Sequence, residues 1–128
     1  MTTLPPPTDD IAGLVELIGA EAALKLVETR GGTRIYVGAR DDGALAEIVG
    51  VDAAAALHTR YGRELLKVPI ARPWRVLCYL AMGLSQERAA LKAGCSTNTV
   101  VRAIRNFGHP DGREPVVRRQ LDLFDKTG

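Results

Sequence analysis

Aromatic side chains are scarce in this chain, with one Trp, three Tyr and two Phe among 128 residues. A core must therefore be filled by Ala, Leu, Val and Ile, and the abundance of alanine favours helices over sheet. Cysteine is scarcer still: Cys78 and Cys95 are the two present. Both fall on apolar helical or turn positions, with no companion at metal-ligand spacing. That pattern argues against a disulfide framework or a zinc site and for core thiols in a reducing cytoplasm. No apolar run reaches the length of a bilayer span, and the N-terminus lacks a signal peptide's basic-then-apolar layout. A cytoplasmic protein with no membrane partner is expected. His58 and His109 stand without companions. Paired catalytic carboxylates, a Ser/His/Asp order with a nucleophile turn, and a phosphate loop are all missing. The chain reads as a non-enzyme with no cofactor and no metal.

A large charge excess of one sign is also lacking, since the net charge is +2. Its distribution is uneven. Met1 to Gly50 holds four Lys/Arg against eight Asp/Glu, whereas Leu84 to Arg119 holds seven against three. The positive charge lies around and after the centre of the chain, where contacts with phosphates would be needed.

That basic region contains the most informative stretch, Leu84 to Asn106, which reads as two short helices broken at Ala93-Gly94-Cys95. Ser85 can cap the first helix, and Glu87 suits the positive end of its dipole. Ala89, Ala90 and Ala93 are small enough for a second helix to pack closely across them. Gly94 sits where the first helix must stop and the chain reverse. Ser96 or Thr97 can cap the second helix, and Val100, Ala103 and Ile104 form its inward stripe. Thr97, Asn98, Val101, Arg102, Arg105 and Asn106 are left outward. This is the pattern of a helix-turn-helix, whose second helix lies in the DNA major groove. Asn98 suits adenine, Arg102 or Arg105 suits guanine or a phosphate, and Thr97 and Val101 suit a thymine methyl. Arg72, Arg75, Arg118 and Arg119 are further candidates for phosphate contacts. An ordinary helical hairpin with a polar face is the plain alternative.

Residues 1–8, MTTLPPPT, form a proline-rich leader without means to build a core, expected to be a disordered or extended tail. Residues 9–69 speak one sentence twice. A shift of 31 positions lays Leu14, Glu16, Gly19, Ala22, Ala23, Leu26, Gly31 and Val37 on Leu45, Glu47, Gly50, Ala53, Ala54, Leu57, Gly62 and Val68. Units 14–37 and 45–68 thus each read as helix-Gly-helix-Gly-strand. A single short strand has unpaired edge groups, so the two are expected to pair, within one chain or across two. Ile35, Val37, Leu66 and Val68 should then face the helices. Residues 70–107 hold the helix-turn-helix, with Pro73 to Met82 as its supporting helix. Residues 108–128 form a tail in which Val116 to Phe124 has a modest helical stripe. The fold class expected is mainly α with a short two-stranded antiparallel β ribbon: a duplicated helix-helix-strand scaffold, then a helix-turn-helix.

With these residues in view, the chain resembles the Mor (middle operon regulator) and C transcription activators of Mu-like phages and prophages. GGTRIYV at Gly31 to Val37 is similar to that family's double glycine and short aromatic strand. GCSTNTVVRAIRNF at Gly94 to Phe107 is similar to its recognition helix. The resemblance implies a small sequence-specific activator that binds double-stranded DNA as a homodimer and contacts RNA polymerase. Thr97, Asn98, Arg102 and Arg105 would face DNA, with Thr99 and Val101 beside them. The chain departs from the pattern in carrying two copies of the strand unit, so a monomer with an internal pseudo-dimer stands beside the homodimer. Two other functions share these features: a helical protein-interaction adaptor, and a repressor or recombinase-accessory protein with the same head.

Overall fold

A computed structural model describes residues 4–38 and 43–110. The fold is mainly helical with one two-stranded antiparallel sheet. The described residues divide into two compact units, one spanning Pro7–Ala71 and the other joining residues 4–6 to residues 72–110.

The first unit follows helix, helix, strand and then repeats that order: α1 (Asp9–Ile18), α2 (Ala20–Arg30), β1 (Arg34–Val37), α3 (Ala44–Val49), α4 (Val51–Tyr61) and β2 (Glu64–Lys67). A single glycine separates the helices of each half. Gly19 has φ 87° and ψ 159°, and Gly50 has φ 94° and ψ 162°, a region closed to most L side chains. Each glycine N–H still donates to the helix behind it, to Val15 or Ala46, while its carbonyl accepts from the helix ahead, from Ala23 or Ala54. One residue thus re-aims the chain while its own N–H and carbonyl stay bonded to the two helices.

α1 packs on α2 and α4, and α3 packs on α4 and α2, so each half completes the other. β1 and β2 pair with Arg34 opposite Lys67, Ile35 opposite Leu66, Tyr36 opposite Leu65 and Val37 opposite Glu64. Pairing within the chain answers the question the sequence left open. Ile35, Val37, Leu66 and Val68 are buried against the helices, as the alternation requires, with Val68 just past the end of β2. Tyr36 and Leu65 form an exposed apolar pair on the opposite face.

The second unit contains α5 (Arg72–Ala81), α6 (Gln86–Ala93) and α7 (Thr97–Phe107), each packed on the other two. Trp74 and the run Val76 to Leu80 are buried, because α5 meets a neighbour on more than one side. Trp74, Leu77 and Cys78 line one face of α5 and Tyr79 is buried with them, while Ala81 on the same face is half-buried. Of the proline-rich leader, residues 4–8 are described, and from Leu4 to Pro6 it is held against the second unit and is not a disordered tail. Leu4 and Pro5 are half-buried, and the Trp74 indole N–H donates to the Pro5 carbonyl at 3.1 Å.

Among the described residues, no helix is long and apolar enough to cross a membrane, and no cluster of His, Cys, Asp and Glu is arranged to hold a metal ion.

Candidate nucleic-acid interface

The site is built on α7, and its orientation begins with α6. Ser85 caps α6 by accepting from the Arg88 N–H at 3.2 Å. α6 ends at Gly94, which takes the left-handed conformation at φ 70° and ψ 38°. Beyond it the Cys95 N–H closes back on the Ala90 carbonyl at 3.0 Å, a Schellman-type stop that satisfies an orphan carbonyl. The chain reverses within two residues. Ser96, extended at φ −83° and ψ 162°, then caps α7 by accepting from the Thr99 N–H. Of the two expected caps, Ser96 serves and Thr97 is the first helical residue.

α7 separates its residues by chemistry. Val100, Val101, Ala103 and Ile104 are buried, whereas Asn98, Arg102, Arg105 and Asn106 are exposed and Thr97 is half-buried. At 100° per residue, the four exposed side chains fall within an arc of about 100°. The helix contains no acidic residue to oppose an anion. Asn98, Arg102, Arg105 and Asn106 are therefore gathered on one solvent-facing strip, two amide forks beside two guanidinium forks.

Val101 does not belong to that strip. It is 6% exposed, so it is a core residue and no thymine-methyl contact. The helical wheel gives the reason: Val101 lies about 60° from Ile104, within the sector that α5 and α6 together cover.

The outer basic residues separate too. Arg72 is exposed at the start of α5. Arg75 is half-buried and engaged: its Nε and Nη2 donate to the Tyr79 hydroxyl, and Nη2 also donates to the Lys92 carbonyl, each at 3.3 Å. Its guanidinium carbon stands 5.9 Å from the Tyr79 ring centre, and the Lys92 ammonium 4.9 Å from it. Arg75 thus ties α5 to the end of α6 and is not a free phosphate ligand. A buried tyrosine between two cations was not visible in the sequence, where Tyr79 carried no motif. Arg118 and Arg119, and the rest of the tail beyond Pro110, lie outside the described residues.

Cys78 is buried as expected, while Cys95 is only half-buried in the turn before α7. Burial raises the Cys95 thiol above its ordinary value, with Arg72 and Arg75 pulling the other way. Leu91, 81% exposed on α6, is an apolar side chain the motif does not explain.

No family model matches this chain, and no curated protein or solved structure is significantly similar to it.

Proposed function

We propose that the chain is a sequence-specific DNA-binding transcription regulator, of the activator type that its resemblance to the Mor and C proteins implies. One observation carries the reading: α7 offers Asn98, Arg102, Arg105 and Asn106 on a single exposed strip free of acidic groups, while Val100, Val101, Ala103 and Ile104 are buried. In this reading α6, the Gly94 turn and α7 act as a helix-turn-helix, and α7 enters the major groove. Asn98 meets an adenine edge, Arg102 and Arg105 meet guanine edges or phosphates, and Thr97 lies at the near rim. Arg72 supplies a phosphate contact from α5.

The test is binding to a random duplex pool over a salt series, followed by sequencing of the retained DNA. Affinity should fall steeply with salt, by about 0.9 log units per log unit of salt for each phosphate neutralised. Arg102→Ala with Arg105→Ala removes two forks worth about 1–3 kcal/mol each, so binding should fall by well over an order of magnitude. Both side chains are exposed and alanine is a strong helix former, so the helical circular dichroism should survive. Unchanged affinity in that variant would favour the protein-interaction adaptor.

Stoichiometry has two readings. Two chains on a two-part site would discriminate sequences better than one head. The pairing of β1 with β2 inside one chain favours the other arrangement, one chain with one head on one half-site. A symmetric two-part selected sequence supports the homodimer, and a single short element supports the monomer.

A further inference from the structure

We infer that the start of α5 is a docking site for a proline-rich extended peptide, filled in this chain by its own residues Leu4 to Pro6. The anchoring bond runs from the Trp74 Nε1–H to the Pro5 carbonyl, 3.1 Å long and spanning 69 positions of sequence. The indole is fully buried, Leu4 and Pro5 are half-buried, and Pro6 is exposed. The segment therefore lies with one side against the unit and one side in water.

The arm's chemistry fits this placement. Pro5, Pro6 and Pro7 have φ held near −65° and carry no N–H. Leu4, Pro5 and Pro6 each precede a proline, which drives them out of the helical region into the extended one. Thr8, at φ −72° and ψ 164°, continues that conformation up to the start of α1. Such a polyproline II segment offers carbonyl acceptors and no donors, and it is already ordered before it binds. A complementary surface needs an N–H donor set in an apolar ring, and the Trp74 indole supplies both. Aromatic grooves hold proline-rich ligands by the same physics. Little conformational entropy is lost on docking, so a short contact suffices. The covalently attached arm has an effective concentration of order mM, so a free peptide enters only when the arm is removed or loosened.

Trp74 is the sole tryptophan, so its fluorescence reports the site without labelling. The experiment compares acrylamide quenching in the full chain and in a chain lacking residues 1–6. Removal should raise quenching several-fold and shift emission to longer wavelength. A synthetic peptide of residues 1–8 should reverse both changes saturably, and the same peptide with its three prolines replaced by glycine should not. Equal protection of Trp74 with and without the arm would overturn the proposal, as would restoration by the glycine peptide or by neither peptide. Should the shortened chain fail to fold by circular dichroism, the full-length Pro5→Gly, Pro6→Gly variant decides. Raised quenching there supports the site, and protection equal to the parent's overturns it. None of these outcomes depends on DNA binding.

Discussion

Arg63 has a left-handed backbone, with φ at 71°, and Gly32, the position 31 residues earlier, has φ at 82°. The two halves place the same bend after α2 and after α4, but only the first half has glycine there. A side chain in this region costs about 1–2 kcal/mol through contact between Cβ and the carbonyl. Glycine gives back about 0.5–1 kcal/mol through its greater freedom in the unfolded chain. Arg63→Gly should therefore stabilise by about 0.5–1 kcal/mol. Nothing else is lost. The side chain is exposed and has no hydrogen-bond or ion-pair partner among the described residues. The backbone bond from the Arg63 N–H to Val37, at 2.7 Å, remains available to glycine. Gly32→Ala runs the other way: it adds the strain and sets a methyl 3.1 Å from Ile70 Cγ1. Urea unfolding reads both. With a slope of about 1–2 kcal/mol per molar, Arg63→Gly should raise the midpoint by a few tenths of a molar and Gly32→Ala should lower it. A lower midpoint for Arg63→Gly would refute the matching of the two bends and the strain argument with it.

Other outcomes follow from single contacts. Gly31→Ala and Gly62→Ala each place a Cβ within 2.4 or 2.6 Å of a backbone carbonyl oxygen, that of Val27 or His58. Each should cost about 1–3 kcal/mol by urea unfolding, because a backbone atom cannot rotate away as a side chain can. Ser96→Ala removes the cap of α7 and should cost about 0.5–2 kcal/mol in thermal unfolding, with Ser96→Thr losing less. Val101→Ala should destabilise by about 1 kcal/mol or more through a core void, and should leave the selected DNA sequence unchanged. The Cys95 thiol should react with iodoacetamide more slowly than free cysteine at neutral pH. Arg72→Ala should slow it further, since losing the nearby positive charge raises the thiol again.

Much of this fold is written in local signals. A glycine directly follows α1, α2, α3, α4, α6 and α7, at 19, 31, 50, 62, 94 and 108, while α5 ends at Ala81, two residues before Gly83. Alternation at Ile35 and Val37 fixed which side of the ribbon turns inward. What local signals cannot carry is contact across long separation. Trp74 holds a carbonyl 69 residues away, and nothing in PPP names its partner. Arg75 is taken up by a tyrosine on its own helix and a carbonyl on the next, so its charge alone misled. Val101 was misplaced because a stripe of Val100, Ala103 and Ile104 suggests one covering partner, whereas α7 has two. The polar strip of α7 was legible because exposure there follows from helical spacing alone.

In a ribbon made by two identical chains, every substitution is felt on both sides of the axis at once. Here the strand and its counterpart are encoded separately, and their sequences differ. Ile35 and Leu66 are equivalent positions facing each other across the ribbon, whereas Tyr36 faces Leu65, the counterpart of Arg34, and the bend that is glycine in one half is arginine in the other. Such a base is free to keep one flank for holding itself together and to let the other drift toward a new task.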